Sequence, residues 1–449
     1  MNKKSVLSFL KALFNVKYSC NTNIIRKRAI IGKTKELKIL KFLTKEYHIF
    51  EKLEILKREK NKRILAKGNT IAKMLFVGMF SRLESLNQIL EKIHKRKRFK
   101  GLFSKKEYIP KSHVFRDGIK ELSIEKLKWI NKSIISKAKE NKLYRKGSID
   151  GLVVVGIDGV ETFRSYKKDW NNSYKAKIKV KEYENGKKRE IEREYHKQIN
   201  IFAKVVGMRP GLVLDYEVVT CNGNEGKQEY EPNVGIKLVQ KLKESYGRRI
   251  DVIVADAIYM DSKFLKAVKE EGYESVIRLK DNRKAVIEEA EGLFKMQEAK
   301  SFRAGREKEI KSWSEIIEYR GMKIKVVKFE EVVLRNKKKK TDVIYAISTA
   351  LDMSEESINK IIHARWDIEN DGFNELKNYW NMNHCFMADE KGINVILEMI
   401  IMSYNLWELY IYGHLHNFEK LNMTKKGYIE MLVEKFSVIK LEVPVKSSA

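Results

Sequence analysis

The stretch GLVVVGIDGV, residues 151–160, decides the fold. Its apolar, largely β-branched run from Leu152 to Ile157 predicts a strand that is buried on both faces. The run ends in Asp158, and α/β sheets bind ligands in the crevices outside the carboxyl ends of such strands. The segment VIVADAIY, residues 252–259, repeats this pattern with Asp256. Either acid taken alone also fits a turn or a helix cap.

The segments around these two acids predict an α/β fold with a mixed sheet. The predicted order is strands at 152–157, 195–207 and 212–221, a helix at 233–246, a strand at 251–255, a helix at 261–272 and a strand at 275–280. Residues 285–342 interrupt this order with charged, strand-like segments, and we interpret them as a β-rich insertion. Residues 343–349 then return to the sheet, and long helices follow at 354–380 and 391–412.

The net charge of +32 on 449 residues indicates a polyanionic partner, and the charge is concentrated in the first third of the chain. Residues 1–150 contain 40 basic and 13 acidic residues, which is a net charge of +27. Segments without proline and the cap-like Ser123 predict helices there. The basic cluster at residues 95–100 belongs to the same region. Its helices either form a helix-turn-helix or are simply solvated basic helices.

Several classes of protein do not fit the sequence. Three scattered cysteines, at positions 20, 221 and 385, favour neither a disulfide framework nor a zinc site, and a reducing cytosol is the expected compartment. The longest apolar stretch, residues 393–413, contains Glu398 and Glu408 and is too polar for a membrane span. Neither GxGxxG nor GxxxxGK[ST] occurs, which argues against dinucleotide binding and against a P-loop ATPase.

A third acid, Glu369, interrupts an apolar pattern. The helix predicted from Ser354 carries apolar residues at helical spacing, and position 369 falls in the middle of their stripe. The residues of this stripe are Ile362, Trp366, Phe373, Leu376 and Trp380. A buried acid must be paired, protonated or bound to a cation. Arg365 lies one turn earlier, so a buried salt bridge is the plain alternative to a functional role.

Together the three acids suggest a metal site for phosphodiester chemistry. Two Mg²⁺ ions need hard oxygen ligands and can lie about 4 Å apart, one activating the attacking oxygen and the other stabilising the leaving oxygen. Mn²⁺ is an acceptable substitute. The ions make a catalytic histidine unnecessary, so we interpret His196, His363 and His384 as structural or surface residues.

These residues resemble those of the DDE transposases with a ribonuclease-H-like core, specifically the insertion-sequence-4-like group. The resemblance covers roughly residues 150–412. It implies that Asp158 in VVVGIDGV, Asp256 in VIVADAIY and Glu369 in HARWDIENDGFNELK are the catalytic and metal-binding residues. It also implies that Arg365 and Lys377 contact DNA phosphate. A β-rich insertion between the last two acids is a further likeness to this family.

The sequence departs from the family signature at two positions. The tyrosine position holds Ile362, and Lys377 follows Glu369 by eight residues where the family has seven. In an α-helix eight residues place Lys377 about 80° round from Glu369. Its phosphate contact is therefore less secure than that of Arg365. In the insertion, Trp313 is interpreted first as a core residue and second as a stacking platform for a displaced base.

The resemblance implies a DNA transposase that cleaves transposon ends and transfers them into target DNA. Its expected partners are double-stranded DNA, as terminal inverted repeats and as target, and a second copy of the chain on that DNA. The expected location is the cytoplasm at a prokaryotic nucleoid, without a membrane. The expected segments are a basic helical DNA-binding region at 1–147, the first part of the ribonuclease-H-like core at 148–284, the insertion at 285–342, the second part of the core at 343–415 and a C-terminal tail at 416–449.

Two other functions fit the same residues. One is a ribonuclease-H-like nuclease that only hydrolyses, because water and a 3′ hydroxyl use the same site. The other is a catalytically inactive protein that only binds nucleic acid. Metal titration separates the inactive protein from both enzymes.

Overall fold

The computed structural model describes residues 38–39, 41–56, 66–95, 103, 107–184, 187–222, 227–280, 284–304, 308–335, 338–415 and 418–438. The predicted basic cluster lies mostly outside these residues, since Arg96 to Lys100 are not among them. The first 37 residues and the end of the tail, 439–449, also lie outside. The chain divides into two compact units, one of Met1–Ala138 with Asn378–Ala449 and one of Lys139–Lys377. The five segments expected from the sequence stay a prediction.

The second unit contains both helices and strands, as expected for an α/β protein. The helices are α1 (Ile49–Leu53), α2 (Gly68–Phe80), α3 (Leu86–Lys95), α4 (Ser112–Lys120), α5 (Ile124–Glu140), α6 (Glu231–Tyr246), α7 (Ser262–Glu270), α8 (Lys284–Phe294), α9 (Glu355–Ala364), α10 (Asn374–Tyr379), α11 (Glu390–Glu408) and α12 (Lys425–Val438). The strands are β1 (Val154–Ser165), β2 (Tyr174–Glu184), β3 (Lys187–Val205), β4 (Val213–Val218), β5 (Cys221–Asn222), β6 (Lys227–Gln228), β7 (Val252–Ala255), β8 (Glu274–Leu279), β9 (Lys300–Ala304), β10 (Lys308–Tyr319), β11 (Met322–Arg335) and β12 (Lys338–Ser348).

The first unit is helical and is built around α11. Every residue of this helix from Gly392 to Glu408 is buried, which explains its nearly continuous apolar sequence. The indole of Trp407 stacks on Phe80 with ring centroids 4.7 Å apart, and its Nε1 donates to the Phe80 carbonyl at 2.9 Å. Glu408, buried in the same helix, pairs with Lys425. Within the described part of the chain, no helix has the length and apolarity needed to cross a membrane.

The helical pair predicted before residue 141 is confirmed as α4 and α5. Ser123 lies directly before α5, and its hydroxyl accepts a hydrogen bond from the Lys126 backbone N–H at 3.2 Å. This contact satisfies one of the N–H groups that the first turn of a helix leaves without a partner.

A ten-stranded sheet forms the second unit. Its order is β2-β3-β1-β7-β8-β12-β11-β10-β9, and β4 also pairs with β3. In the core of the sheet, β1 and β4 run antiparallel to β3, whereas β1, β7 and β8 are parallel to one another. The predicted α/β fold with a mixed sheet and a β-rich insertion is confirmed.

The insertion extends the core sheet without a break. Strand β12 pairs with β8 on one side, from Tyr345 to Ser348, and with β11 on the other side. Strands β11, β10 and β9 follow as antiparallel neighbours. The strand predicted at 343–349 therefore joins the core to the insertion and begins five residues earlier than expected.

Two features of the core differ from the prediction. Strand β1 does not end near Asp158 but continues to Ser165, because it remains paired with β3 beyond that residue. Strand β2 was not predicted at all. It pairs along its whole length with the first half of β3, from Tyr174 with Lys197 to Glu184 with Lys187.

Candidate active site

Asp158 lies where two kinds of strand pairing meet. The parallel pairing of β1 with β7 ends at Ile157, which is opposite Ala255, while the antiparallel pairing with β3 continues and places Asp158 opposite Phe202. The backbone N–H of Gly159 donates to Oδ1 of Asp158 at 2.8 Å. The side chain is mostly buried, with 19% of its surface exposed. Asp158 is therefore held at the opening beyond the end of β7.

Asp256 directly follows β7, as predicted, and so lies at the same edge of the sheet. It caps a short 3-10 turn at Ala257–Tyr259, and its Oδ1 accepts a hydrogen bond from the Ala257 N–H. Its Oδ2 accepts from Nζ of Lys280 at 2.7 Å, directly after the neighbouring strand β8. Parallel strands bring these chain ends together, since their carboxyl ends share one edge.

Glu369 is brought to the same edge by a turn that packs across the sheet. The turn Ile368–Phe373 has π-helical hydrogen bonding. Ile368 lies against Gly156 of β1, where an added Cβ atom would be 3.6 Å from the Cβ of Ile368. Phe373 meets Phe202 of β3 edge-on, with ring centroids 5.6 Å apart. Phe202 is the strand partner of Asp158, so these contacts fix Glu369 over that acid.

The π turn corrects two expectations about the predicted helix at 354–380. This segment is not one α-helix but α9, the π turn and α10. A π turn holds one more residue than an α turn, so eight residues from Glu369 to Lys377 advance about as far as seven do in an α-helix. The expected 80° offset of Lys377 is therefore wrong.

The turn also moves Glu369 out of the apolar stripe. Ile362, Phe373, Leu376 and Trp380 are buried as expected. The side chain of Glu369, however, is 39% exposed, and Trp366 is 41% exposed. Both side chains thus lie outside the buried stripe that the spacing predicts.

Arg365 connects two of the three acids. Its Nη1 lies 3.2 Å from Oδ2 of Asp158 and 2.8 Å from Oε1 of Glu369. The guanidinium is almost fully buried, and its Nε has no hydrogen-bond partner among the described residues. The salt bridge that was the alternative interpretation of Glu369 is thus present, but it includes Asp158 as well. A positive group therefore already lies between these two acids.

The electrostatics of Asp158 reflect this crowding. Burial raises the pKa of its carboxyl to about 7, with the charges of Glu369 and Asp256 adding to the increase. The Arg365 guanidinium and the Gly159 N–H act in the opposite direction and do not compensate fully. Several carboxylates thus lie close together where water is partly excluded. Such clusters are common at functional sites, and an added positive charge would reduce the repulsion between the carboxylates.

The other predicted residues occupy different surroundings. Lys377 is half-buried, and burial lowers its pKa, with Glu161 opposing that change and Arg164 and Lys197 adding to it. It thus lies near the later part of β1. The exposed indole of Trp366 lies 5.3 Å from Cζ of Arg365 and 5.8 Å from Cζ of Arg278.

The histidines and Trp313 lie elsewhere. Nε2 of His363 is 2.6 Å from Oε1 of Glu331, and His384 packs edge-on against Phe386. His196 is 3.4 Å from the Ser173 hydroxyl. Trp313 is half-buried, with Nζ of Lys328 at 5.1 Å from its ring centroid. These surroundings agree with the structural or surface roles predicted for the histidines.

The donor set fits a divalent cation. Asp158, Asp256 and Glu369 offer carboxylate oxygens, the hard ligands that Mg²⁺ and Mn²⁺ take in proteins. In the described ranges no three Asp, Glu, His or Cys side chains converge as a ready-made metal site. Instead Arg365 and Lys280 supply part of the positive charge that the three acids require.

Lys280 was missed by the sequence analysis. It ends the predicted strand SVIRLK, so its position after a central strand was a usable signal. A lysine there reads as a solvated residue, however, and only the parallel pairing of β7 with β8 places it beside Asp256.

Comparisons with known proteins concern the family of the chain. A family model described as a transposase DDE domain matches residues 153–406. No curated protein matches the sequence significantly. The cryo-EM structure of the piggyBac transposase synaptic complex with hairpin DNA is similar to 90% of this chain and 80% of that chain, with 11% sequence identity and a TM-score of 0.39. A likeness this weak supports no inference about the site.

Proposed function

The chain belongs to the transposase DDE domain family, whose function is DNA transposition, and we propose that Asp158, Asp256 and Glu369 hold the divalent cations for its reaction. One observation carries this proposal. Arg365 Nη1 lies within 3.2 Å of oxygens from both Asp158 and Glu369, while Asp256 follows the strand that pairs with β1. Acids from three distant parts of the sequence thus meet at one edge of the sheet.

The proposed cofactor is a pair of Mg²⁺ ions, for which Mn²⁺ substitutes. When bound, the ions act as Lewis acids that activate the attacking oxygen and stabilise the leaving oxygen. The three carboxylates orient the ions, and Asp158 does so from a position where its own negative charge is poorly compensated. Metal binding must therefore displace a proton from Asp158 in the part of the population that carries one.

Arg365 and Lys377 are proposed to contact DNA phosphate. Arg365 supports this role because its guanidinium is already at the acids and retains a buried Nε–H to donate. Guanidinium groups suit phosphate because they donate two hydrogen bonds in one plane. Lys377 contributes positive charge near the later part of β1, together with Arg164 and Lys197.

The proposed substrates are transposon terminal inverted repeats and target DNA, bound by two copies of the chain. The basic first third supplies affinity for the ends through phosphate contacts. Affinity should therefore fall steeply with salt concentration. A flat salt response would contradict the assignment of this region to DNA binding.

The decisive experiment is incubation of the protein with Mg²⁺ and DNA that carries the repeats flanking its own gene. We expect cleavage at the repeat boundary and joining of the released 3′ end to a second DNA. Asp158→Asn, Asp256→Asn and Glu369→Gln should each lose cleavage while retaining DNA binding. Full cleavage by any of the three would reject that residue as a ligand.

A matched control is Asp261→Asn. Asp261 caps α7 five residues after Asp256, and its Oδ1 accepts from the N–H groups of Lys263 and Phe264. Asparagine caps a helix equally well, so this variant should cleave normally. Cleavage without joining in the wild type would instead indicate a nuclease that only hydrolyses.

A further inference from the structure

A carboxylate that the family resemblance does not include lies beside Asp158. A Cβ atom added to Gly159 would lie 2.9 Å from Oε2 of Glu231 and 3.3 Å from its Cδ. The first of these distances is shorter than real side chains tolerate. The Glu231 carboxylate thus lies directly against the backbone that follows Asp158, and a side chain at position 159 would have to displace it.

The first turn of α6 holds Glu231 in this place. Glu231 is the first residue of the helix, where the exposed N–H groups favour a negative charge. Gly235 lies one turn later on the same face, and a Cβ atom there would lie 2.8 Å from Cε1 of Tyr259. This face of α6 thus contacts both the strand of Asp158 and the short turn that Asp256 caps.

The hydroxyl of Tyr259 is a second indication that a ligand binds among these acids. The residue is fully buried, and its hydroxyl has no hydrogen-bond partner within the described ranges. Burial raises the pKa of this hydroxyl well above its usual value, and the charges of Glu231, Asp158 and Asp256 raise it further. Tyr259 belongs to the short turn that Asp256 caps, so the backbone also places it in this part of the site. Buried polar groups without a partner are rare in folded proteins.

We propose that Glu231 is a fourth carboxylate of the active site, which contributes an oxygen ligand to the divalent cation beside Asp158. Tyr259 is the positioning residue: its hydroxyl has no partner in the described part of the chain, and it would donate a hydrogen bond to one of these acids once the cation is bound. This inference rests on the proposed function, since it assumes a cation at Asp158. It adds Glu231, which lies at the start of a helix and is not one of the three acids that the family resemblance implies.

The test is the binding of Mn²⁺ to the full chain without DNA, measured by calorimetry and by electron paramagnetic resonance of the free ion. Glu231→Gln should weaken Mn²⁺ binding about tenfold or more. The control is Glu229→Gln, since Glu229 lies two residues earlier and contacts Lys237 at 2.6 Å and Thr220 at 2.7 Å. Equal affinities of the two variants would overturn the assignment of Glu231.

Tyr259→Phe tests the positioning role. The variant removes only a hydroxyl that has no partner in the described part of the chain, so its melting temperature should not fall. Its Mn²⁺ affinity should fall several-fold. Unchanged Mn²⁺ affinity would overturn the role of Tyr259, whether or not the melting temperature changes.

Asp158→Asn separates this inference from the proposed function. Loss of Mn²⁺ binding in Asp158→Asn with wild-type binding in Glu231→Gln would remove only the fourth ligand. Wild-type binding in Asp158→Asn would remove the proposed metal site itself. If Glu231→Gln unfolds, Glu231→Asp replaces it in the test. This variant keeps the negative charge, but its side chain is one methylene shorter and no longer reaches the cation.

Discussion

The core and the insertion are parts of one sheet, yet they differ in how far neighbouring groups compensate the charge of a buried carboxylate. In the insertion, Glu331 of β11 is bound by three partners, with His363 Nε2 at 2.6 Å, Lys308 Nζ at 2.5 Å and Asn359 Nδ2 at 2.8 Å. Burial alone would raise the pKa of Glu331, but these hydrogen bonds outweigh it and bring the pKa to about 2. Asp158 in the core has the opposite balance, with a pKa of about 7.

Glu355, at the start of α9, contacts the insertion and shows the same balance as Glu331. Its carboxylate accepts from the Ser314 hydroxyl at 2.6 Å and pairs with Lys300 and Lys325. Burial opposes ionisation, and these contacts again lower the pKa to about 2. Glu331 and Glu355 are thus compensated by their partners, whereas Asp158, a proposed cation ligand, keeps negative charge in excess.

The largest expected effect is on catalysis. Glu369→Gln should lower the rate of Mg²⁺-dependent DNA cleavage by roughly a thousandfold or more, because it removes a ligand that stabilises the charge of the transition state. Glu331→Gln should change that rate less than about threefold per folded molecule. Cleavage assays with equal amounts of folded protein measure both. Similar rates in the two variants would end the distinction between the regions.

The second expected effect is on stability, and here the variant of the insertion, Glu331→Gln, should show the large change. Glu331→Gln should lower the free energy of unfolding by about 3 kcal/mol, since it leaves Lys308 and His363 beside a neutral group. Urea unfolding at pH 7 measures the loss. Glu309→Gln, at an exposed position on the neighbouring strand, is the control and should stay within about 0.5 kcal/mol of the wild type. A similar loss in both variants would contradict the proposed role of Glu331.

The sequence predicted the core acids because their signal is local. Asp256 follows an apolar run, and the observed β7 ends immediately before it. The same logic located Asp158, although β1 continues because pairing with β3 is a long-range contact. Glu369 was located through a helical stripe that the π turn breaks. Hydrophobic spacing cannot indicate such a turn, because a one-residue widening leaves the residue types unchanged.

What the sequence analysis missed is of two kinds. Strand β2 carries lysines at every second position from Lys175 to Lys181, a period-two pattern typical of a strand, but the high charge of the segment hides it. Glu231 carried no such signal, since an acid in the first turn of a helix is ordinary. Only the approach of α6 to β1 gives Glu231 a neighbour at Gly159, and no local pattern encodes that approach.

A third expected effect is on the pH dependence of stability, because the pKa of Asp158 is raised whereas that of the structural acids is lowered. Asp158 has a folded-state pKa of about 7, above its ordinary 3.8, so the folded protein binds the extra proton and loses stability as the pH rises toward 7. Asp158→Asn lacks this loss. The variant should therefore gain about 1–2 kcal/mol over the wild type between pH 5 and pH 8. Urea unfolding without metal at both pH values measures the gain.

Glu355 gives the contrasting result in the same experiment. Its folded-state pKa lies below the ordinary value of 4.5, so its stabilisation is complete above pH 4.5 and is lost as the pH falls toward 2. Glu355→Gln should thus differ from the wild type by the same amount at pH 5 and at pH 8. A constant difference for Asp158→Asn as well would show that Asp158 is not short of positive charge.

The smallest effect is the stabilisation of the core by metal. At pH 8, Mg²⁺ at ten times its dissociation constant should raise the free energy of unfolding of the wild type by about 1.4 kcal/mol. At pH 5.5 the gain should shrink, because Asp158 then holds a proton that Mg²⁺ must displace. Thermal unfolding against K⁺ at matched ionic strength measures it. Glu331→Gln should respond to Mg²⁺ as the wild type does, whereas Asp158→Asn should not respond. A response in Asp158→Asn would place the cation elsewhere on the chain.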